Sequence, residues 1–235
     1  MSDVKLAELK EKLFSGKESS QMPAIPELAS YGAAGLAILV EFIAQRQGNQ
    51  TAVSPIDGKL HQTLLAWDQD DSAHEAVNVA QRFYAQGVLP LRSEKNVDYQ
   101  ELQELLAKGE FEAADKLTNL KLCEAANSNA LQRGWLYFTD VRQIPHVDLQ
   151  MINDLWLIYS EGKFGFSVQR KIWLSLGKNW EKLWFQIGWK KDGSFTRYPT
   201  EFTWSLTAPK GHLPLSNQLR GNKVIQALFG HPLWS

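Results

Sequence analysis

The sequence predicts an all-α protein, because apolar residues recur at helical spacing through most of the chain and no segment alternates convincingly as a half-buried strand does. Connectors that contain proline or glycine divide the periodic segments into helices of ordinary length. The chain has 235 residues, of which 44% are hydrophobic. This length and composition suit one sizeable domain or two modest ones, each with its own buried core.

The first 85 residues are predicted to form a small helical bundle. One apolar stripe consists of Leu6, Leu9 and Leu13, and a second consists of Leu28, Tyr31, Gly35, Ile38 and Phe42. Proline-containing connectors are predicted at residues 22–26 and 48–58, and further helices at residues 59–67 and 72–86.

A boundary is predicted within GVLPLRSEKNV, residues 87–97, because this stretch combines a glycine, a proline and charges without helical periodicity. It separates a predicted N-terminal domain, residues 1–85, from a C-terminal domain, residues 86–235. Directly after the boundary, Asp98 and Glu101 have the spacing of a capping box that opens a helix. Further helices are predicted after Gly109, at residues 148–161, 167–176 and 179–187, and from Pro214 onward.

Residues 188–214 form a long aromatic segment in which the helical pattern fails. Its glycines and prolines include Gly193, Pro199, Pro209 and Gly211, and its aromatic residues are Trp189, Phe195, Tyr198, Phe202 and Trp204. Long loops in compact domains are more often functional than structural. We therefore expect this loop to form the wall or lid of a ligand site, whereas the helical tryptophans are expected to be core residues.

The charge distribution is uneven along the chain. Residues 1–85 carry 7 Lys+Arg against 11 Asp+Glu, whereas residues 86–235 carry 18 against 15. From Lys163 onward, 11 basic residues face only three acidic ones, and the same segment contains thirteen aromatic residues. A basic and aromatic surface predicts a flat, apolar ligand that bears acid groups.

Several classes of site are not supported by the sequence. A single cysteine, Cys123, excludes an intramolecular disulfide and a multi-thiolate metal site. The five histidines are scattered, and the chain has no P-loop, dinucleotide fingerprint or nucleophile elbow. We therefore predict neither a metal site nor catalytic residues. Axial ligation of a metalloporphyrin by His212 or Cys123 stays open as the less favoured alternative.

The N-terminus has neither a secretory signal nor an organelle transit peptide. The longest mostly apolar stretch, residues 31–44, contains Glu41 and is too short to cross a bilayer. These features predict a soluble, cytoplasmic protein.

Four segments together resemble the core of the genomes-uncoupled-four family of porphyrin-binding regulators of magnesium chelatase. They are KLCEAA, RGWLYFTDV, GFSVQRKIWLSLGKNWEKLWFQIGWK and RYPTEFTWSLTAPKGHLPLSNQLRGNKV. The resemblance covers roughly residues 88–234. It implies a cupped hand of helices whose palm holds protoporphyrin IX or Mg-protoporphyrin IX. Residues 1–85 are similar to the additional N-terminal bundle of bacterial members.

The resemblance also implies the residues of a porphyrin site. Phe202, Asn217 and Arg220 match pocket positions of the family, whereas Tyr198 and Lys223 match pocket-edge positions where other members carry Trp and Arg. Asn217, Arg220 and Lys223 recur every third residue and would align on one continuous helix. Gly221 and Asn222 leave open an interruption of that helix.

By the same resemblance, the chain is an activator and not an enzyme, with no catalytic cofactor. Its implied partner is the large porphyrin-binding subunit of magnesium chelatase. The chain either delivers porphyrin to this subunit or biases the subunit toward turnover. The chain ends at Ser235 without the longer tail of plant and algal members, which is typical of a cyanobacterial-type protein. A monomer is expected, and peripheral association with photosynthetic membranes stays open.

Two other classes of function compete with this interpretation. An enzyme that acts on a tetrapyrrole would have the same ligand-binding residues. A nucleic-acid module would also interleave basic and aromatic residues, because aromatic rings stack on single-stranded bases. The family resemblance favours the porphyrin and predicts no nucleic-acid partner.

Overall fold

The computed structural model describes residues 2–67, 78–79, 82–215 and 222–235. The chain divides into two compact units, Met1–Pro90 and Leu91–Ser235, which we call the N-terminal and the C-terminal unit. The described residues are predominantly helical, which confirms the predicted all-α class. In these ranges, no helix combines the length and the apolar character needed to cross a bilayer.

The N-terminal unit contains four long helices in the part that the structure describes. They are α1 (Ser2–Ser15), α2 (Glu18–Ala29), α3 (Ala33–Gly48) and α4 (Pro55–Trp67). One side chain or more from each helix enters a common core, including Leu9, Leu13, Ile25, Leu39 and Leu60, all of which are at most 1% exposed. Burial of such aliphatic side chains provides the main stabilisation of the unit.

Two predictions for this unit are wrong in their boundaries. The predicted connector at residues 22–26 lies inside α2, which contains both Pro23 and Pro26. Burial of neighbouring apolar residues of the same helix outweighs the cost of the prolines. The chain turns instead between α2 and α3, where Gly32 adopts a positive φ of 62°. Most of the helix predicted at residues 72–86 lies outside the described residues.

The connector predicted at residues 48–58 is shorter than expected, because α4 already begins at Pro55. Asp57, in the first turn of α4, accepts hydrogen bonds from Arg46 Nε at 2.8 Å and Arg46 Nη2 at 2.6 Å. The backbone N–H of Ser54 donates to the same carboxylate at 2.9 Å. This bidentate pair fixes the start of α4 relative to the end of α3.

The C-terminal unit contains seven helices in the residues described. They are α5 (Gln100–Ala107), α6 (Phe111–Ala126), α7 (Ser128–Arg133), α8 (His146–Tyr159), α9 (Phe166–Ser175), α10 (Trp180–Gln186) and α11 (Lys223–Phe229). Two 3₁₀ turns are formed by Asp140–Gln143 and Pro232–Trp234. The strands β1 (Lys190–Lys191) and β2 (Ser194–Phe195) form a short antiparallel hairpin that the sequence pattern did not predict.

Helix α8 lies at the centre of this unit. Leu149, Ile152, Leu155, Trp156 and Tyr159 are fully buried, as their helical spacing predicted. The indole Nε1 of Trp156 donates to Thr118 Oγ1 of α6 at 2.9 Å. This bond satisfies a buried polar atom and fixes the contact between α6 and α8.

The predicted capping box of α5 is not formed as expected. Asp98 Oδ1 accepts from the backbone N–H of Gln100 at 2.9 Å, and the N-cap residue of the helix is Tyr99, which makes no side-chain cap. Helix α7, which was not predicted, begins where Asn127 Oδ1 accepts from the N–H of Ala130 at 2.9 Å. Of these two helices, only α7 therefore begins with a side-chain cap at its N-cap residue.

Candidate ligand-binding site

The aromatic loop, residues 188–214, contains a cluster of four rings. The ring of Phe202 stacks on Trp204 with centroids 5.6 Å apart and packs against His212 at 5.0 Å. Tyr198 meets Phe202 at 5.9 Å and Trp204 at 5.8 Å, both edge to face. We call these four residues the ring cluster. It brings together Tyr198 and Phe202, two of the predicted site residues.

The two predicted residues differ in exposure. Tyr198 is 40% exposed, whereas Phe202 is only 6% exposed. Tyr198 therefore offers the larger free aromatic surface, and Phe202 supports it from within the cluster.

His212 is held by the backbone through both ring nitrogens. Its Nδ1–H donates to the carbonyl oxygen of Ile187 at 2.7 Å, and its Nε2 accepts from the N–H of Thr203 at 3.2 Å. Burial lowers the pKa of the imidazole, so the neutral tautomer is favoured. The ring therefore organises the loop and has no free nitrogen for axial ligation in this conformation.

A second set of rings extends from the ring cluster along α10 and α9. Trp184 and Trp189 stack nearly parallel, with centroids 5.3 Å apart and an interplanar angle of 9°. Trp189 Nε1 donates to the carbonyl oxygen of His212 at 2.7 Å. Trp180 stacks on Trp184 at 5.3 Å and packs against Trp173 at 4.8 Å. Trp184 is buried, as expected for a helical tryptophan, whereas Trp173 and Trp180 are partly exposed. Trp189, which was expected in the wall or lid of a ligand site, is buried in the core instead.

The end of the aromatic loop is fixed by Gln169 of α9, which is fully buried. Its Nε2 donates to the carbonyl oxygens of Gly211 at 3.0 Å and Pro214 at 2.8 Å. Gly211 has a positive φ of 81°, and a Cβ there would approach Ile172 Cδ1 to 2.9 Å. Only glycine allows the loop to lie this close to α9.

The residue after Pro214 is held from another helix. The N–H of Leu215 donates to Asp115 Oδ1 of α6 at 2.6 Å. Burial raises the pKa of the Asp115 carboxyl to about 7, an effect that this hydrogen bond partly opposes. The pKa of Tyr198 is also raised, to about 12, by burial and by the charges of Asp115 and Glu112. The carboxylates of α6 therefore lie near enough to Tyr198 to influence its ionisation.

Lys223, the first residue of α11, lies in a different environment from Tyr198 and Phe202. Its Nζ is 5.6 Å from the ring centroid of Phe138. The two residues line a half-open cleft of about 700 Å³ together with Arg142, Ala227, His231 and Pro232. Phe138 and Arg142 were not predicted as site residues, although Phe138 lies in the segment RGWLYFTDV and Arg142 directly follows it.

Two predicted site residues, Asn217 and Arg220, lie outside the described residues. Most of the helix predicted from Pro214 lies outside them as well. The first described helix after Pro214 is α11, which begins at Lys223 and has Asn222 at its N-cap.

The described residues contain no group of three or more His, Cys, Asp or Glu side chains that could hold a metal ion. Cys123 is fully buried, and burial raises the pKa of its thiol to about 11. The uncharged thiol is therefore the stable form at neutral pH, which disfavours ligation by this residue.

The fold and the site define an all-α protein whose C-terminal unit combines an aromatic cluster, exposed at Tyr198, with a cation-lined cleft. A family model described as GUN4-like matches residues 92–232, and a second model, described as "ARM-like repeat domain, GUN4-N terminal", matches residues 2–78. The chain therefore belongs to the GUN4-like family, which confirms the resemblance found in its sequence.

Individual relatives agree with this assignment. The chain is 46% identical to a Ycf53-like protein from Synechocystis over all of its own length and 98% of that protein. It is 36% identical to a tetrapyrrole-binding protein, chloroplastic, from Arabidopsis thaliana, over 57% of this chain and 54% of the relative.

Solved structures show the same likeness. The GUN4 structure from Chlamydomonas reinhardtii matches 63% of this chain and 96% of its own, with 40% identity and a TM-score of 0.59. The ligand-free GUN4 structure from Arabidopsis thaliana matches 59% of this chain and 99% of its own, with 36% identity and a TM-score of 0.55.

Proposed function

We propose that the chain binds protoporphyrin IX and Mg-protoporphyrin IX through its C-terminal unit and stimulates magnesium chelatase in chlorophyll biosynthesis. The observation that carries the proposal is the match of residues 92–232 to the GUN4-like family. A relative of this chain is itself named as a tetrapyrrole-binding protein. In this proposal the chain is a regulatory protein, and the porphyrins are its ligands and not catalytic cofactors.

The chemistry of the C-terminal unit supports this class of ligand. A protoporphyrin has two large apolar faces and two propionates at one edge, so its receptor needs aromatic walls and a few cations. We propose Tyr198 and Phe202 as aromatic contacts, and Asn217, Arg220 and Lys223 as polar contacts. The first two residues meet in the ring cluster.

The polar contacts are needed in addition to the apolar contacts. Burial of about 400 Å² of apolar surface would contribute ~10 kcal/mol, and the loss of translational and rotational freedom costs ~4 to 15 kcal/mol. The loss of translational and rotational freedom therefore offsets a large part of the free energy gained from apolar contact. Hydrogen bonds from charged groups, at ~1.5 to 3 kcal/mol each, would then determine the affinity and the orientation of the ligand.

The proposed contacts predict the effect of two substitutions on porphyrin affinity. Arg220→Ala is expected to weaken binding about tenfold to a hundredfold, because it removes a charge-assisted hydrogen bond. Phe202→Ala is expected to weaken binding through loss of the ring that supports Tyr198. Both are measured by quenching of tryptophan fluorescence during a porphyrin titration.

Phe195→Ala is the matched control, since Phe195 is 50% exposed and lies outside the ring cluster. It should bind like the unmodified chain. Circular dichroism establishes that each variant is folded, which matters most for the buried Phe202. Unchanged affinity in both Phe202→Ala and Arg220→Ala would rule out the proposed contacts.

We propose the large porphyrin-binding subunit of magnesium chelatase as the protein partner. The expected result is a higher rate of magnesium insertion at limiting magnesium when the chain is added to the chelatase. A chain that binds porphyrin without raising this rate would refute the activator role and leave ligand binding intact.

Porphyrin incubated with the chain alone should keep its absorption spectrum after extraction, whereas a shifted spectrum would favour an enzyme.

The two units have separate proposed roles. We propose that residues 86–235 form the porphyrin-binding domain and that residues 1–85 form a helical bundle with a scaffold or docking role. A truncation that begins near Gly87 tests whether porphyrin binding needs the bundle. We further propose that the protein is monomeric and cytoplasmic.

A further inference from the structure

One peptide group at the end of the aromatic loop is held by side chains from two helices. Its carbonyl oxygen, which belongs to Pro214, accepts from Gln169 Nε2 of α9 at 2.8 Å. Its N–H, which belongs to Leu215, donates to Asp115 Oδ1 of α6 at 2.6 Å. In a trans peptide group the C=O and the N–H point in opposite directions, so α6 and α9 hold this group from opposite sides. The two bonds therefore fix both its position and its orientation.

Both anchoring side chains are buried. Gln169 is fully buried, and Asp115 is only 4% exposed. Solvent therefore offers no substitute partner when either bond is lost, and the peptide group would keep an unsatisfied polar atom. One residue earlier, the carbonyl oxygen of Leu213 accepts from the N–H of Gly165 at 3.0 Å. The end of the aromatic loop is thus fixed by several bonds to the helical core.

Asp115 also acts on the exposed part of the aromatic loop through its charge. Tyr198, which is 40% exposed, is one of the aromatic contacts proposed for the porphyrin. Burial raises the pKa of Tyr198 most, and the charge of Asp115 adds to the rise ahead of that of Glu112. One carboxyl on α6 is therefore linked to the loop at two places, the backbone of Leu215 and the side chain of Tyr198.

The hydrogen bond to Leu215 does not require an acid. The amide oxygen of an asparagine would accept from the same N–H without adding a group that can ionise. A buried carboxylate is costly, and among the described residues no Lys or Arg forms an ion pair with Asp115. Lys116, its neighbour in the sequence, pairs with Glu112 at 2.7 Å instead. An acid at this position therefore costs stability that an amide would not.

The titratable groups that interact with Asp115 lie on α6 and in the aromatic loop. Burial raises the pKa of this carboxyl to about 7. The bond from Leu215 and the charge of Lys116 oppose the rise, and the charge of Glu112 adds to it. Tyr198 interacts with it from the loop. Buried acids that ionise near neutral pH occur preferentially at functional sites.

We infer that Asp115 is a positioning residue of the porphyrin site, which holds the end of the loop at Leu215 and couples porphyrin affinity to pH. The inference rests on the proposed function and gives Asp115 no contact with the ligand. The ionised carboxylate places a negative charge near Tyr198, which disfavours a porphyrin that bears carboxylates. The protonated carboxyl removes this repulsion and keeps an oxygen that accepts from Leu215. An acidic porphyrin and the proton on Asp115 therefore favour each other's binding.

The test is a titration of the full chain with deuteroporphyrin IX and with its dimethyl ester, in the same non-ionic detergent and over a series of pH values. For the unmodified chain, affinity for the diacid should fall about threefold to tenfold from about pH 6 to about pH 8, because one negative charge appears near the ligand. Affinity for the diester, which has no carboxylate, should stay constant. In Asp115→Asn, affinity for the diacid should stay constant as well.

Asp115→Leu tests the positioning role, because it removes the acceptor of the Leu215 N–H. It is expected to weaken binding of the diacid and the diester alike, by about fivefold or more at low pH, since a buried donor loses its partner. Circular dichroism establishes that the variant is folded. Glu104→Gln is the control, because it removes one negative charge at an exposed position of α5. It should keep the affinities and the pH dependence of the unmodified chain.

Different results overturn different claims. If Asp115→Asn keeps the pH dependence of the unmodified chain, or if the diester shows the same dependence as the diacid, the coupling through Asp115 is refuted and porphyrin binding stands. If folded Asp115→Leu binds both porphyrins like the unmodified chain, the positioning role is refuted. If Asp115→Leu does not fold, the pH profile of Asp115→Asn still decides. If the unmodified chain binds neither porphyrin, the proposed function fails together with the inference.

Discussion

Asp115→Asn is expected to reduce the pH dependence of the stability of the C-terminal unit. Burial raises the pKa of Asp115 from 3.8 to about 7 in the folded chain. Well below the unfolded pKa of 3.8, the carboxyl is protonated in both the folded and the unfolded chain. As the pH rises toward 7, only the unfolded chain ionises this group, so the unmodified protein loses stability relative to the Asn variant.

The size of this effect follows from the shift in pKa. A rise from 3.8 to about 7 corresponds to a change of up to ~4 kcal/mol in the free energy of unfolding between pH 4 and pH 8. Asparagine keeps an oxygen that can accept from the N–H of Leu215, so the contact itself is preserved. Any cost of burying the added NH₂ group does not depend on pH and appears as a constant offset.

The measurement is urea unfolding of both chains at several pH values, followed by tryptophan fluorescence. All tryptophans except Trp67 belong to residues 91–235, so the signal reports mainly on the C-terminal unit. The pKa values of His61, His212 and His231 are lowered in the folded chain. These residues therefore reduce the stability of the protein as the pH falls, which is opposite to the effect of Asp115. Their effect is common to both chains and cancels in the difference. A difference that stays constant between pH 4 and pH 8 would contradict the expected ionisation of Asp115.

Gln169→Leu is expected to destabilise the C-terminal unit by about 2 to 4 kcal/mol. The substitution leaves two buried carbonyl oxygens, of Gly211 and Pro214, without the donor they have now. Each such loss costs ~1 to 3 kcal/mol. Gln169 Oε1 has no hydrogen-bond partner among the described residues, so its removal offsets a part of this cost.

Gln186→Leu is the matched control for this substitution, because Gln186 is exposed at the end of α10. The same change there should alter the free energy of unfolding by less than about 0.5 kcal/mol. Equal effects at positions 169 and 186 would show that Gln169 does not anchor the loop. Amide exchange provides a second measurement, since the N–H of Gly165, which donates to Leu213 at 3.0 Å, should exchange faster in Gln169→Leu.

The fold was predictable where an apolar stripe lies within one helix, whereas the predicted stripe from Leu28 to Phe42 is divided between α2 and α3. Helix α8 was expected at residues 148–161 and is formed by His146–Tyr159, because its buried residues repeat at helical spacing. The prediction failed at Pro23 and Pro26, where local propensity favours a break. There the free energy gained by burying Ile25 and Leu28 in the core exceeds the cost of placing two prolines in the helix. The local sequence does not show this gain, because it depends on tertiary packing.

The site was predictable only in part for a similar physical reason. Tyr198 and Phe202 are close in sequence and meet in space, so an aromatic loop could be expected to bring them together. Lys223 lies beside Phe138, which is far away in the sequence, and the contact depends on the packing of α11 near the 3₁₀ turn. No local pattern specifies that packing. Arg142 was therefore not recognised as a candidate cation.

The most direct test of the central claim is an equilibrium titration of the full, unmodified chain with protoporphyrin IX, followed by its tryptophan fluorescence. We predict quenching that saturates at one porphyrin per chain and that reverses when a competing acidic porphyrin is added. Quenching that rises without saturation, as for free tryptophan mixed with the same porphyrin, would contradict the assignment of this chain as a porphyrin-binding protein.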